Sequence, residues 1–122
     1  MILTIDIGNT NIKFGSFVGE DMVATRRVST ERRCTADEYG IIIKELLSQS
    51  GNMTADVEGV VMSSVVPALN YTMEHACEFM FGKKPLVVSH ATDTGITIDY
   101  DSPNGLGADR LVGMASAYHY YG

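Results

Sequence analysis

Residues 1–28, MILTIDIGNTNIKFGSFVGEDMVATRRV, contain three strand-like runs in immediate succession. Met1–Ile7 is apolar at nearly every position, which is the pattern of a central strand buried on both faces. The runs Ile12–Val18 and Met22–Val28 follow, and between them Gly19-Glu20-Asp21 supplies the glycine and acidic residues of a hairpin turn. The sequence therefore predicts that the chain opens with three consecutive antiparallel strands.

Three amphipathic helices are predicted after this opening. Thr35 and Glu38 form a capping box before the first helix, and Pro67 suits the first turn of the second. The third is predicted from Leu106 to about Tyr120. Apolar residues recur in each with the spacing of one helical face. These residues are Tyr39, Ile42, Ile43, Leu46 and Leu47 in the first helix, Leu69, Met73, Ala76, Cys77 and Met80 in the second, and Leu111, Met114, Ala115 and Tyr118 in the third.

Two more strand-like runs, Val57–Met62 and Pro85–Ser89, alternate with these helices. His90–Gly107 is a long connection rich in Thr, Asp, Gly, Ser and Pro, and long irregular connections are often functional. The order β-β-β-α-β-α-β-loop-α predicts an α/β fold, in which a mixed sheet is covered by helices.

Composition excludes several classes of function. The chain has 122 residues and a net charge of −6, so it fits one domain and would repel the phosphates of duplex nucleic acid. No run approaches the roughly 20 apolar residues of a membrane span, and no secretory signal is visible, which predicts a cytoplasmic protein without a membrane partner. Cys34 and Cys77 have neither CxxC spacing nor clustered histidines, so a metal site or disulfide framework has no support.

The polar turn after the first strand is the first candidate site. Gly8 and its small neighbours would let backbone N–H groups approach a phosphate. Asp6 would attract the Mg²⁺ that accompanies a nucleotide, usually through water, and Lys13 could neutralise a terminal phosphate. The alternative is a tight hairpin turn in which Asn9 and Asn11 simply adopt positive φ.

The second candidate site is the start of the last predicted helix. Gly105 and Gly107 precede it, and Asp109-Arg110 falls in its first turn, where the helix dipole favours anionic groups. Arg110 could grip a carboxylate or phosphate through two hydrogen bonds. The alternative is an acid that merely complements the helix dipole, with Arg110 as its surface partner.

Two other polar positions also have alternative interpretations. Ser63-Ser64 could line a cleft, but capping of the following helix or close packing is the favoured interpretation. Tyr100 could contact a ligand or be a half-buried aromatic residue on a strand.

Four segments, taken together, resemble a known family. Asp6-Ile7-Gly8-Asn9-Thr10-Asn11-Ile12-Lys13 resembles the first phosphate motif of the acetate and sugar kinase/Hsc70/actin superfamily, in a form similar to that of type III pantothenate kinases. The other segments match at consistent spacing and in the same order. They are Ser63-Ser64-Val65-Val66-Pro67, Tyr100 with Pro103, and Gly107-Ala108-Asp109-Arg110. The resemblance extends from Ile2 to about Gly122.

This resemblance implies a ribonuclease H-like mixed sheet and ATP-dependent phosphorylation of pantothenate to 4′-phosphopantothenate, the first step of coenzyme A biosynthesis. It implies that Asp109 is the general base and that Asp6–Lys13 binds the ATP phosphates with Mg²⁺. Contacts with pantothenate are implied for Tyr100, Gly107, Ala108, Asp109 and Arg110. A monovalent cation (K⁺ or NH₄⁺) and a homodimer are implied as well.

The family pattern continues beyond this chain. A second phosphate loop, the adenosine-binding segment and the monovalent-cation ligands are expected after Gly122, so residues 1–122 are expected to form the N-terminal lobe of a two-lobed kinase and to have little activity alone. The rival interpretations are a non-catalytic nucleotide-binding regulator, such as a transcription-activator-like relative, an assembly ATPase, and a kinase of another hydroxy compound. The presence of Asp109-Arg110 favours the kinase.

Overall fold

A computed structural model describes residues 1–19, 21–88, 111–116 and 118. The elements follow the predicted order. They are β1 (Ile2–Ile7), β2 (Asn11–Val18), β3 (Asp21–Ser29), α1 (Ala36–Gln49), a short 3₁₀ turn (Thr54–Asp56), β4 (Gly59–Ser64), α2 (Pro67–Phe81) and β5 (Leu86–Val87). Residues 111–116 and 118 are helical and are here named α3.

The five strands form one sheet in the order β3-β2-β1-β4-β5. The opening meander is antiparallel, as predicted, because β1 pairs with β2 and β2 with β3 in that sense. β4 lies parallel to β1, and β5 lies parallel to β4. The sheet is therefore mixed, and the predicted α/β fold is confirmed.

The two faces of the sheet carry different helices. Side chains alternate between faces along β1, so Leu3, Ile5 and Ile7 point one way while Thr4 and Asp6 point the other. The first face packs against α1 and α2 in the larger apolar core. The second face packs against α3 in a smaller cluster. Its buried members are Ile2, Phe17, Val61, Val88, Leu111, Met114 and Ala115.

The ends of α1 follow the sequence signals closely. Thr35 Oγ1 accepts a hydrogen bond from Glu38 N, and Thr35 N donates to Glu38 Oε1, which completes the predicted capping box. At the other end Gly51 has φ +72°, and Asn52 N donates to Leu47 O at 2.9 Å. This left-handed glycine stops the helix where the sequence predicted its end.

The described helices are of ordinary globular length, with 14 residues in α1 and 15 in α2. None of the helices within the described ranges has the length and apolar character needed to cross a membrane.

Candidate phosphate-binding site

The turn between β1 and β2 presents exposed polar residues at one end of the sheet. Gly8 N donates to Asn11 O at 2.9 Å, which closes the turn, and Asn9 and Thr10 at its tip are exposed. The predicted segment Asp6–Lys13 thus consists of the end of β1, the turn and the start of β2.

Gly8 is needed in this turn for space. A Cβ atom at this position would lie 3.0 Å from Asn11 O, closer than most real Cβ contacts. The turn is the tight hairpin turn of the alternative interpretation, but neither Asn9 nor Asn11 has positive φ, since among the described residues only glycines do. The close approach of Gly8 to Asn11 is what a tight turn between two adjacent antiparallel strands requires.

Three polar side chains lie in one row beside this turn. Asp6 pairs directly with Lys13 on β2 and with Ser63 on β4, so all three belong to the second face, the one that α3 covers. Directly opposed residues have Cβ atoms about 5 Å apart. Asp6 and Lys13 are half-buried and Ser63 is fully buried. The row combines a carboxylate, an ammonium group and a hydroxyl next to exposed backbone.

The two adjacent serines have different surroundings. Ser64 Oγ accepts from Val66 N at 3.0 Å and donates to Val66 O at 3.1 Å, so it orders the turn before α2. The N-cap of α2 is Val66, which makes no side-chain cap, so the predicted helix cap is wrong in detail. Ser63 lies beside Asp6 in β4 and is fully buried, which agrees with the close packing that the sequence favoured.

Helix α3 runs over the second face of the sheet, and its direction decides which of its ends is nearer to the row of Asp6, Lys13 and Ser63. At its end, Tyr118 packs so closely on Gly59 that no Cβ atom would fit there, and its hydroxyl donates to Glu58 O at 3.3 Å. At its start, Leu111 Cδ1 lies 3.2 Å from the position that a Cβ of Gly15 would occupy. Since Gly59 is level with the start of β1 and Gly15 with its middle, the N-terminal end of α3 is the end nearer to the row.

The second group of predicted site residues falls outside the described residues. These residues are Tyr100, Gly107, Ala108, Asp109 and Arg110. Their predicted roles remain predictions. The turn at residues 8–11 and the row are the described parts of the candidate site.

The sequence does not predict one residue that contacts the turn, Thr30, which directly follows β3. Thr30 Oγ1 donates to Gly8 O at 2.7 Å, and Thr30 N donates to Thr10 O at 2.9 Å. The only signal for this contact is the pairing of Asn11 with Ser29, which brings the next residue beside the turn. That register is not visible in the sequence.

A shallow groove of about 560 Å³ lies elsewhere, between β3 and α1. Arg26 and Glu45 line it and form an ion pair of 3.1 Å. Arg26 pairs with Phe14, whose side chain belongs to the core under α1, so the groove is on the opposite face from Asp6. It is not part of the candidate site.

The row fits Mg²⁺ bound through water better than a metal held by protein ligands alone. Within the described part of the chain, no group of three or more His, Cys, Asp or Glu side chains could enclose a metal. Mg²⁺ usually keeps several waters and takes one or two carboxylates together with substrate phosphates. Asp6, half-buried beside an exposed turn, supplies one such carboxylate.

Comparison with known proteins identifies the family of this chain. The family model for type III pantothenate kinase matches residues 2–122. The chain belongs to this family. The predicted resemblance to type III pantothenate kinases is therefore confirmed.

Solved structures with a similar fold include two sugar kinases. A hexokinase from Thermus thermophilus matches with a TM-score of 0.60 and 15% identity over 75% of this chain and 36% of its own. A candidate N-acetylmannosamine kinase from Listeria monocytogenes matches with a TM-score of 0.50 and 17% identity, over 75% of this chain and 36% of its own. The chain therefore spans about a third of these relatives' length, and at this identity they establish the fold alone.

Proposed function

We propose that the complete protein transfers the γ-phosphoryl group of ATP to the primary hydroxyl of pantothenate, giving 4′-phosphopantothenate, the first step of coenzyme A biosynthesis. Family membership supports this reaction. The row of Asp6, Lys13 and Ser63 beside an exposed turn supports it independently. The observation that carries the proposal is the direction of α3, whose N-terminal end is nearest to that row.

The distances along the chain support a shared cleft. Leu111 packs over Gly15, which pairs with Thr4, and Asp6 lies two residues further along β1. Two strand residues advance by about 7 Å. Asp109 precedes Leu111 by two residues, and two residues of chain can span up to about 7 Å. The two spans are equal, which supports the proposal that Asp109 and the row share one cleft.

In the proposed mechanism the turn at residues 8–11 offers backbone N–H groups to the phosphates of ATP. Lys13 neutralises charge on a terminal phosphate. Asp6 would hold Mg²⁺ through water, and this ion, when bound, supplies positive charge to the phosphate oxygens. Ser63 borders the same space and keeps the end of β4 polar.

Asp109 accepts the proton of the pantothenate hydroxyl as its oxygen bonds to the γ-phosphorus. The bond from that phosphorus to the β–γ bridging oxygen breaks, and ADP leaves. Arg110 binds the carboxylate of pantothenate, and Tyr100, Gly107 and Ala108 complete its pocket. In phosphoryl transfer the protein contributes mainly positioning and charge stabilisation, so such residues are expected to dominate the rate.

The same proposal assigns residues 1–122 to the N-terminal lobe of a two-lobed kinase. The adenosine-binding segment and the ligands of a monovalent cation would come from the other lobe, so activity would need both. A homodimer is also part of the proposal.

Replacing Asp109 tests the reaction. The complete protein is expected to phosphorylate pantothenate with ATP, and Asp109→Asn should lower kcat by about 10²- to 10⁴-fold, the usual contribution of a positioned base. Binding of MgATP, followed by titration calorimetry, should be nearly unchanged, because the phosphates are held by the Asp6–Lys13 segment.

Asp37→Asn is a matched control, because Asp37 is an exposed acid in the first turn of α1. It removes a helix-dipole interaction of under about 1 kcal/mol and should leave kcat unchanged. If Asp109→Asn behaves like Asp37→Asn, Asp109 is only a helix-dipole acid. A complete protein that binds ATP but forms no product would instead be a nucleotide-binding regulator.

A further inference from the structure

Thr30 donates hydrogen bonds to two backbone carbonyl groups of the turn at residues 8–11. Its hydroxyl donates to Gly8 O at 2.7 Å, the shortest side-chain hydrogen bond near the turn, and its N–H donates to Thr10 O at 2.9 Å. Thr30 is half-buried and follows the last residue of β3, so its backbone is fixed by the sheet. The turn is thereby attached to a third strand.

This attachment sets the direction of one N–H group in particular. The described peptide bonds include no cis form, and in a planar trans peptide the C=O and N–H groups point in opposite directions. Because Gly8 O points to Thr30, the N–H of Asn9 must point away from it. Among the described residues no hydrogen bond engages Asn9 N–H, and Asn9 is exposed. Such a group can bind an anion.

We propose that Thr30 is a positioning residue for nucleotide binding, which acts by fixing the Gly8–Asn9 peptide so that Asn9 N–H faces a phosphate of ATP. This inference rests on the proposed function of the turn. Gly8 has no Cβ to restrict its backbone, so without the Thr30 hydroxyl this peptide can rotate. Thr30 would then influence phosphate affinity without touching the ligand.

The test measures the dissociation constant of MgATP by titration calorimetry in the complete protein. Thr30→Val should bind MgATP about 3- to 10-fold more weakly, the size expected when one hydrogen bond is lost. Thr30→Ser keeps the hydroxyl and should stay within about twofold of wild type. A smaller folded fraction would lower the fitted number of binding sites per chain, whereas weaker binding would raise the dissociation constant and leave that number unchanged.

Thr25→Val is the matched control, since Thr25 Oγ1 donates to Phe14 O at 3.1 Å from the same strand but away from the turn. It should reduce the melting temperature about as much as Thr30→Val and leave MgATP affinity unchanged. If the melting temperature of Thr30→Val is far below that of Thr25→Val, MgATP affinity is measured with Thr30→Ala instead, because alanine also lacks the hydroxyl and is smaller.

The possible outcomes separate the two proposals. Equal MgATP affinity in wild type and the hydroxyl-free variant overturns the role of Thr30 while the proposed reaction stands. Thr30-dependent MgATP binding without phosphorylation of pantothenate supports the role of Thr30 and overturns the choice of substrate. A complete protein that does not bind MgATP overturns both.

Discussion

Cys77 lies on the inner face of α2, fully buried in the core beneath the sheet. Burial, with smaller contributions from the charges of Glu74 and Glu78, raises the pKa of its thiol to about 12. An unfolded thiol loses its proton near pH 9. Above pH 9 the unfolded state therefore releases a proton that the folded state keeps. The stability that the buried neutral thiol contributes is complete below pH 9 and is lost as the pH rises towards 12.

We expect Cys77→Ala to reduce the loss of stability between pH 9 and pH 11. The measurement is the free energy of unfolding in urea at several pH values, and the quantity compared is its slope against pH. Burial, with a smaller contribution from the neighbouring Cys34 thiol, raises the pKa of Tyr39 to about 12 as well, so some alkaline sensitivity should remain above pH 10. Met73→Leu, a volume-conserving change at a buried position of the same helix that carries no ionisable group, is the control. Identical slopes in wild type and Cys77→Ala would contradict the assignment.

Individual site residues differ in how well the sequence predicts them. The segment Asp6–Lys13 is readable because a carboxylate, a glycine and small polar residues directly follow an apolar strand. Thr30 is not, since its role depends on a contact with Gly8 across 22 residues. For Ser63 the close packing that the sequence favoured agrees with its complete burial, whereas the helix cap that was considered with it is not formed by either serine.

At the scale of elements, the contact between α3 and the start of β4 orients the helix that leads to Asp109. Gly59 makes room for the ring of Tyr118, and the Tyr118 hydroxyl donates to Glu58 O. Lys83, just after α2, donates to the same carbonyl oxygen at 2.9 Å. Helix α3 and the α2–β5 connection therefore meet at one backbone carbonyl.

Gly59→Ala should displace α3, because the new methyl group would overlap the ring of Tyr118. Overpacking of this kind typically costs about 1–3 kcal/mol, which chemical unfolding can measure. The double variant Gly59→Ala/Tyr118→Ala should lose less stability than the sum of the single variants, since removing the ring restores the space.

Gly40→Ala provides the control for this pair. There the new methyl group would lie 3.1 Å from Met80 Sδ, a flexible side chain that can move, and alanine favours the helix. Its effect on stability should be small. Additive effects of Gly59→Ala and Tyr118→Ala would show that α3 does not depend on this contact.

The elements themselves were predicted well because their periodicity reflects burial. Two strands differ: β5, predicted at Pro85–Ser89, covers only Leu86–Val87, and β4, predicted at Val57–Met62, is observed at Gly59–Ser64. Asp56 Oδ2 accepts from Met53 N at 2.7 Å and helps to form the short turn at Thr54–Asp56, so the strand begins later. It then continues through two serines because β1 offers partners as far as Ile7. Hydrophobicity indicates which residues are buried, whereas pairing sets where a strand ends.

For the whole molecule, the strand order explains why the site is at one end of the sheet. β1 and β4 are neighbours and parallel, so their carboxyl ends, with Asp6 and Ser63, lie side by side. Alternating strands and helices predicted a mixed sheet, but they did not specify this order or which helix covers which face. Those features depend on contacts between distant residues, such as Leu111 over Gly15.

The central claim is that the turn at residues 8–11 and Asp109 share one cleft. A crystal structure of the complete protein with a non-hydrolysable ATP analogue and pantothenate tests it most directly. We expect the terminal phosphates against the N–H groups of the turn, and the primary hydroxyl of pantothenate within about 3 Å of the Asp109 carboxylate, the reach of a general base. A structure that places Asp109 across the sheet from Asp6, with no common cleft, would contradict the account.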